Sequence, residues 1–254
     1  MILERVERSD AQLGSVLGRT SPVVKVAIAF AWLAGLALTL RPMPPLILAV
    51  VAVAAGLILG GIRPATLART LAPLWIAAIG IGTFNALFST ANGDATSPEL
   101  LHVGSLRVTS DAAINGLALG LRVVAIAAVG AVFTLTTDAA RLADSLVQQT
   151  RVSARFAYGA LAAYQAIPRF AEDLTTLRQS RRMRGLGGSW HPRLLVGLLV
   201  LAIRHGDRLA LSMDARGFGS GPRTDYRPMP WRPLDAIVAV ASVGLLALAL
   251  FSGR

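Results

Sequence analysis

The chain has 254 residues, 54% of them hydrophobic and only 15% charged, too few charges to cover a water-soluble globule of ordinary surface. Cysteine is absent, which excludes disulfides, thiolate metal sites and cysteine nucleophiles. The net charge of +11 rests on arginine, because Lys25 is the only lysine. In so apolar a chain, basic loops retained on one side of a bilayer explain that excess before any nucleic-acid partner does.

Taken in order, the first half holds four apolar segments: Pro22 to Leu40, Leu46 to Ile62, Leu71 to Phe88, and Ala112 to about Leu135. Each is near the length a helix rising about 1.5 Å per residue needs to cross a hydrocarbon core roughly 30 Å thick. No small-residue cleavage pattern follows the first, so it is expected to stay as a span and not to be removed as a signal peptide. The connection Arg41-Pro42-Met43-Pro44-Pro45 stops one helix and starts an antiparallel neighbour. Arg5, Arg8, Arg19 and Lys25 before the first span, and Arg63 and Arg69 after the second, assign both regions to the cytoplasm. The loop from Ser89 to Asp111 then lies outside, and its acidic Asp94, Glu99 and Asp111 agree with that side. Within it Leu106 to Thr109 reads as a short strand.

From Thr137 the character changes to an arginine-dense region with helical spacing, read as cytoplasmic. Thr137-Asp138 offers an N-cap to a short amphipathic helix carrying Ala140, Leu142, Leu146 and Val147. A longer helix is expected from about Val152 to Arg184, with a kink or break at Pro168 and a stop at Gly185, Gly187 and Gly188. Trp190-His191-Pro192 opens another, whose apolar stretch Leu194 to Ile203 is too short to span and is expected at the membrane surface or under the bundle. It ends at Gly217 to Pro222. A last span runs from Leu234 to Phe251, anchored by Arg227, Trp231 and Arg232, which puts the C-terminus outside. The fold class is therefore an all-α integral membrane protein with about five transmembrane helices and a cytoplasmic set of helices. The domain reading is a membrane bundle over 1–136, a cytoplasmic or interfacial region over 137–232 and a final span over 233–254.

Two helix ends look alike: Arg181-Arg182-Met183-Arg184-Gly185-Leu186-Gly187 and Met213-Asp214-Ala215-Arg216-Gly217-Phe218-Gly219. Arginine in a last turn complements the helix dipole, and glycine after it takes the left-handed cap, so either end alone is plain capping. The repetition in one basic region invites a shared role. With Ile167-Pro168 and Glu172 leading to the first end, and Asp207-Arg208 to the second, the chain resembles the transmembrane (T) component of energy-coupling-factor transporters over nearly its whole length. The signature of that family is a pair of Ala-Arg-Gly tripeptides. The second matches at Ala215, Arg216 and Gly217; the first has Met183 before Arg184 and Gly185, which keeps the arginine and glycine.

The resemblance implies a non-catalytic subunit in a multi-subunit importer of the cell membrane, without a cofactor of its own. Its implied partners are two ABC-type ATPases, as a homo- or heterodimer, and a membrane substrate-binding (S) component that carries a vitamin or transition-metal ion. It implies an ATPase-binding surface at Met183, Arg184, Gly185, Ala215, Arg216 and Gly217. Small residues such as Gly116, Ala118, Gly120 and Ala125 to Ala128 would let the spans approach the S component.

Other features carry less. Arg122, about ten residues into a span, is expected to face the bundle or snorkel. Asn85 and Asn115 are candidates for interhelical hydrogen bonds. His102, His191 and His205 are scattered without carboxylates spaced to complete a metal site. No Gly-x-x-x-x-Gly-Lys occurs, so ATP hydrolysis belongs elsewhere, and Gly217, Gly219 and Gly221 read as a helix stop and not as a phosphate loop. Two alternatives stay open: a membrane-embedded enzyme using Asp138, Asp214 or Glu172 on a phosphate-bearing substrate, and a self-sufficient secondary carrier.

Overall fold

A computed structural model describes residues 14–39, 41–93, 97–103, 106–186, 191–221, 225 and 227–252, with the backbone alone at 101–103 and 106. Arg5, Arg8, Leu40, Asp94, Gly187, Gly188, Trp190 and Pro222 lie outside the described residues. The chain divides into two compact units, Met1–Asp138 with Pro230–Arg254, and Ala139–Met229.

The first unit contains α1 (Val16–Arg19), α2 (Pro22–Ala37), α3 (Met43–Ile58), α4 (Pro64–Phe88), a 3-10 turn at Thr90–Gly93, the hairpin β1 (Glu99–Val103) and β2 (Leu106–Thr109), α5 (Ser110–Thr136) and α9 (Pro233–Ser252). Prolines open α2, α3 and α4, because a first-turn residue needs no amide donor and proline's φ already suits the helix. For that reason the Pro44-Pro45 pair expected in a connection is instead the start of α3, and α4 begins earlier than Leu71. The expected strand at Leu106–Thr109 is present and pairs antiparallel with Glu99–Val103. Among the described residues, three helical segments are long and apolar enough to cross a membrane: Pro64–Gly93, Ser110–Thr136 and Pro233–Ser252; α2 and α3 are apolar but have 16 residues each, about 24 Å of helix. The protein is thus an all-α membrane protein in which three of the five expected spans reach full length and two are short.

Its core joins Trp32 and Leu36 of α2, Leu48, Ala49 and Ala52 of α3, Ala78 of α4, Val124, Ala125 and Ala128 of α5, and Ala249 of α9. Lipid supplies no hydrophobic drive between helices, so close backbone approach carries much of the packing. The tightest seam is between α4 and α5. A Cβ at Gly116 would stand 2.5 Å from the Gly82 carbonyl oxygen, and one at Gly120 would stand 3.0 Å from that of Ala78. Gly116, Ala118, Ala125 and Ala128 are all buried. These four of the small residues expected to receive a partner are therefore covered within the chain, while Gly120 and Ala127 are half-buried.

Polar groups stitch the helix ends that carry the arginines. Lys25, expected on an open flank, is buried within α2, and its ammonium donates to the Thr136 carbonyl at 2.9 Å and to Thr137 Oγ1 at 3.0 Å. The Asp235 carboxylate, 2% exposed, accepts from the Ser21 amide at 2.7 Å and the Arg232 amide at 3.0 Å, tying the starts of α2 and α9 together. Nearer mid-helix, the Trp32 indole donates to Ser242 Oγ at 2.7 Å. Arg122 donates from Nη2 to the Thr39 carbonyl just past α2, so the charge faces a helix end as the dipole favours. Asn85 differs from expectation: its amide donates to the Ile81 carbonyl one turn back on its own helix, not across to another.

The second unit contains α6 (Ala139–Thr150), α7 (Ala154–Met183) and α8 (Pro192–Ala215). Helix α7 runs through Pro168 without interruption, so no break occurs there. Helices α7 and α8 form an antiparallel hairpin. Leu177 lies against Gly197, Phe170 meets His205 with ring centroids 6.3 Å apart, and Tyr158 meets Phe218 at 6.4 Å.

Candidate functional site

The two arginine-glycine ends terminate α7 and α8 in the same way. At the first, Arg184 is the C-cap and Gly185 has φ +71°; the Gly185 amide donates to the Arg182 carbonyl at 3.0 Å and the Leu186 amide to the Arg181 carbonyl at 3.1 Å. At the second, Arg216 is the C-cap and Gly217 has φ +67°; the Gly217 amide donates to the Asp214 carbonyl and the Phe218 amide to the Met213 carbonyl, both at 2.9 Å. This pair of bonds is the Schellman closure, and it needs a left-handed residue after the cap, which glycine adopts without a Cβ penalty. The local sequence thus dictates the local structure at both places.

Each closure leaves its arginine at the rim of a helix end. Arg184 and Arg216 are exposed, and neither is ion-paired among the described residues. Met183 is 88% exposed and Ala215 is exposed beside Arg216. The structure does not bring the two ends together. Because the hairpin is antiparallel, they stand at its opposite extremes, separated by about the length of α8, roughly 36 Å for a helix of 24 residues.

Their surroundings differ in a way that local patterns did not signal. Behind Arg216, Phe218 packs edge-on against Tyr158, the Tyr158 hydroxyl donates to Asp144 Oδ1 at 2.8 Å, and Arg155 Nη2 donates to the Gly219 carbonyl at 3.1 Å. The segment after this end is held to α6: Gln148 Nε2 donates to the Arg227 carbonyl at 2.9 Å while its Oε1 accepts from the Met229 amide at 2.7 Å. A hollow of about 990 Å³ lies beside Met213 and Phe218, with Asp144, Gln148, Arg155 and Arg227 also on its wall. At the Arg184 end, Leu186 is 51% exposed. These bracing partners lie 60 or more residues from Phe218 and Gly219 in sequence, and only the hairpin register would have pointed to them.

Two acids of the enzyme alternative, Glu172 and Asp214, are not brought together within their unit. Glu172 is exposed midway along α7 and Asp214 is exposed at the end of α8; by the hairpin register they sit about eleven residues apart along it, roughly 16 Å. Asp138 belongs to the first unit. Among the described residues, no three His, Asp or Glu side chains form a group able to hold a metal ion. The apolar stretch at the start of α8 is uncovered: Leu194 is buried, whereas Val196 is 62% and Leu199 59% exposed.

Comparison with known proteins bears on this arrangement. Residues 14–226 match the family model CbiQ, described as a cobalt transport protein. Similar proteins include the energy-coupling factor transporter transmembrane protein EcfT of Limosilactobacillus fermentum, 29% identical over 60% of this chain and 63% of that protein. That of Bacillus subtilis is 26% identical over 61% and 64%, and that of Lactococcus lactis subsp. cremoris 25% identical over 87% and 84%. The chain thus spans less than two thirds of the length of the first two relatives, and more of the third. With a family match that covers both arginine-glycine ends and the helices between them, the chain belongs to the CbiQ family, the transmembrane components of energy-coupling-factor transporters.

Proposed function

We propose that this chain is the transmembrane scaffold and coupling subunit of an energy-coupling-factor importer, transmitting the ATP-driven motion of two cytoplasmic ABC-type ATPases to a membrane substrate-binding component. The cargo is a vitamin or a transition-metal ion held by that component, and ATP is hydrolysed by the partner subunits. Met183, Arg184 and Gly185 at one end of the hairpin, and Ala215, Arg216 and Gly217 at the other, form the ATPase-binding surface. The arginine-rich unit lies in the cytoplasm with the N-terminus, and α9 carries the C-terminus outward.

The observation that carries this reading is the repetition of one capped arginine end at the two extremes of a single hairpin. Two ATPases that close on one another need two handles set apart, and a helical hairpin with exposed arginines at both tips, neither ion-paired among the described residues, supplies them. Arginine's planar fork pairs bidentately with a carboxylate in a groove, and the capped end fixes the direction in which it projects. When nucleotide draws the ATPases together, both tips move and the hairpin tilts. The uncovered apolar residues of α8, Val196 and Leu199 among them, then act as the surface that carries the substrate-binding partner.

The test is co-purification from detergent of tagged chain with its ATPases, comparing wild type with the double variant Arg184→Glu, Arg216→Glu. Removing one partner of a desolvated charge pair costs about 2–5 kcal/mol, so the reversed pair is expected to lose the ATPases at equal expression. Full retention by the variant would reduce both arginines to helix caps.

A further inference from the structure

The first unit contains a cleft of about 340 Å³ that the coupling function does not use. It lies between α2, α3, α5 and α9, with Val16 and Leu17 of α1 at one end. On α3 and α5 the lining comes from the half nearest the arginines, Val51 to Leu59 and Val129 to Thr136; on α2 and α9 it starts near that end and runs past the middle, Lys25 to Trp32 and Leu234 to Leu245. Along α9 this is a depth of about 16 Å, half of a hydrocarbon core roughly 30 Å thick. The cleft therefore reaches from one interface to the midplane, the length of a single leaflet.

Its chemistry is one-sided. The few polar groups on its wall are already engaged: Lys25 with Thr136 and Thr137, and Trp32 with Ser242. Nothing on the remaining wall hydrogen-bonds water, and apolar cavities of this kind stay dry. A dry space open to lipid is filled by whatever apolar matter can enter, and Ile28, Ala29, Val129 and Val132 are only half-buried, so the space communicates with the surroundings. At the interface end the charge is positive. Arg19 stands two residues from Leu17, Arg232 two from Leu234, and Arg63 four from Leu59; all three are exposed and none is ion-paired among the described residues. Basic side chains at the mouth of an interhelical pocket favour anionic headgroups.

We propose that this cleft binds one acyl chain of an anionic phospholipid, with its phosphate held at the rim by Arg19, Arg63 and Arg232. The lipid completes the packing of α2 against α3, α5 and α9, and fixes the interface-side ends of these helices.

The experiment is native mass spectrometry of the full chain in mixed micelles holding phosphatidylglycerol and phosphatidylcholine in equal amounts. Wild type is expected to retain phosphatidylglycerol at one per chain. Ala29→Phe and Ala241→Phe, which place rings in the cleft, are expected to lose it. Val240→Phe is expected to keep it, since residue 240 is 72% exposed and outside the lining. Elution profile and circular dichroism establish that each variant is folded. Arg19→Ala and Arg232→Ala are each expected to reduce the preference for phosphatidylglycerol about fivefold while an acyl chain is still held. Three results would overturn the proposal: no lipid retained by wild type, equal retention by the folded cleft-filling variants, or lipid retained only after residues 1–13 are removed, which would make the chain's own N-terminal segment the occupant.

Discussion

Gly185→Ala isolates the backbone conformation of one proposed ATPase-binding end from everything else. A Cβ built at Gly185 meets no atom within 4 Å, yet φ is +71°, and an L-residue in the left-handed region pays about 1–2 kcal/mol. The variant can relieve that strain only by releasing the bonds from the Gly185 and Leu186 amides, which turns Arg184 away from its fixed direction. Taking about 1 kcal/mol for the end as a whole, ATPase affinity is expected to fall about fivefold. Gly185→Asn tolerates the left-handed region far better and is expected to stay within about twofold of wild type, although its side chain is larger. At Gly217 the alanine variant is expected to cost more, because its Cβ would also stand 2.9 Å from Ser220 Oγ, which donates to the Gly217 carbonyl. The assay is titration of purified chain in nanodiscs with its ATPases, monitored by surface-immobilised binding. Affinities in the order glycine, asparagine, alanine support a role for the capped conformation. If asparagine is as damaging as alanine, the groove is sensing bulk; if both match wild type, the capped end is not read at all.

Two further outcomes follow from the membrane unit. Lys25→Met removes the donor to the Thr136 carbonyl and Thr137 Oγ1, and leaving acceptors of a charged donor unsatisfied costs about 2–3 kcal/mol. Thermal unfolding followed by size exclusion should show Tm lowered by roughly 4–12 °C, and an unchanged Tm would mean these bonds are not formed in the membrane. Gly116→Ala places a Cβ 2.5 Å from a backbone oxygen of α4 and 2.8 Å from Ala86 Cβ, so the seam must open at about 1–3 kcal/mol; Gly130→Ala, with nothing within 4 Å, is the control expected to leave Tm unchanged, and equal behaviour of the two would argue against a tight α4–α5 seam.

The parts legible in the sequence were those decided locally. Apolar length located the membrane helices, and the arginine-glycine pairs located two helix ends whose closure depends on only six consecutive residues. Boundaries moved where proline served as a helix start, as at Pro44 and Pro64, because the same residue stops one helix and begins the next. What stayed hidden was long-range. Lys25 reads as one more flanking cation until Thr136 is beside it, and Asp235 at the start of the last span shows no partner in the sequence until its carboxylate accepts the Ser21 amide 214 residues away. Gly116 and Gly120 read as surfaces for a partner because small residues permit close approach without naming which helix approaches.

That distinction also explains why the two arginine-glycine ends, alike in backbone, are held differently. A load applied at Arg216 meets Phe218 on Tyr158, Tyr158 on Asp144 of α6, and Arg155 on the Gly219 carbonyl, so it is delivered to two helices at once. A load applied at Arg184 travels along α7, with Leu186 and Met183 largely in the open. The departure from the Ala-Arg-Gly pattern falls at the Arg184 end. At 88% exposed, the Met183 side chain costs the chain's own packing nothing, and under the proposed function it is free to meet an ATPase.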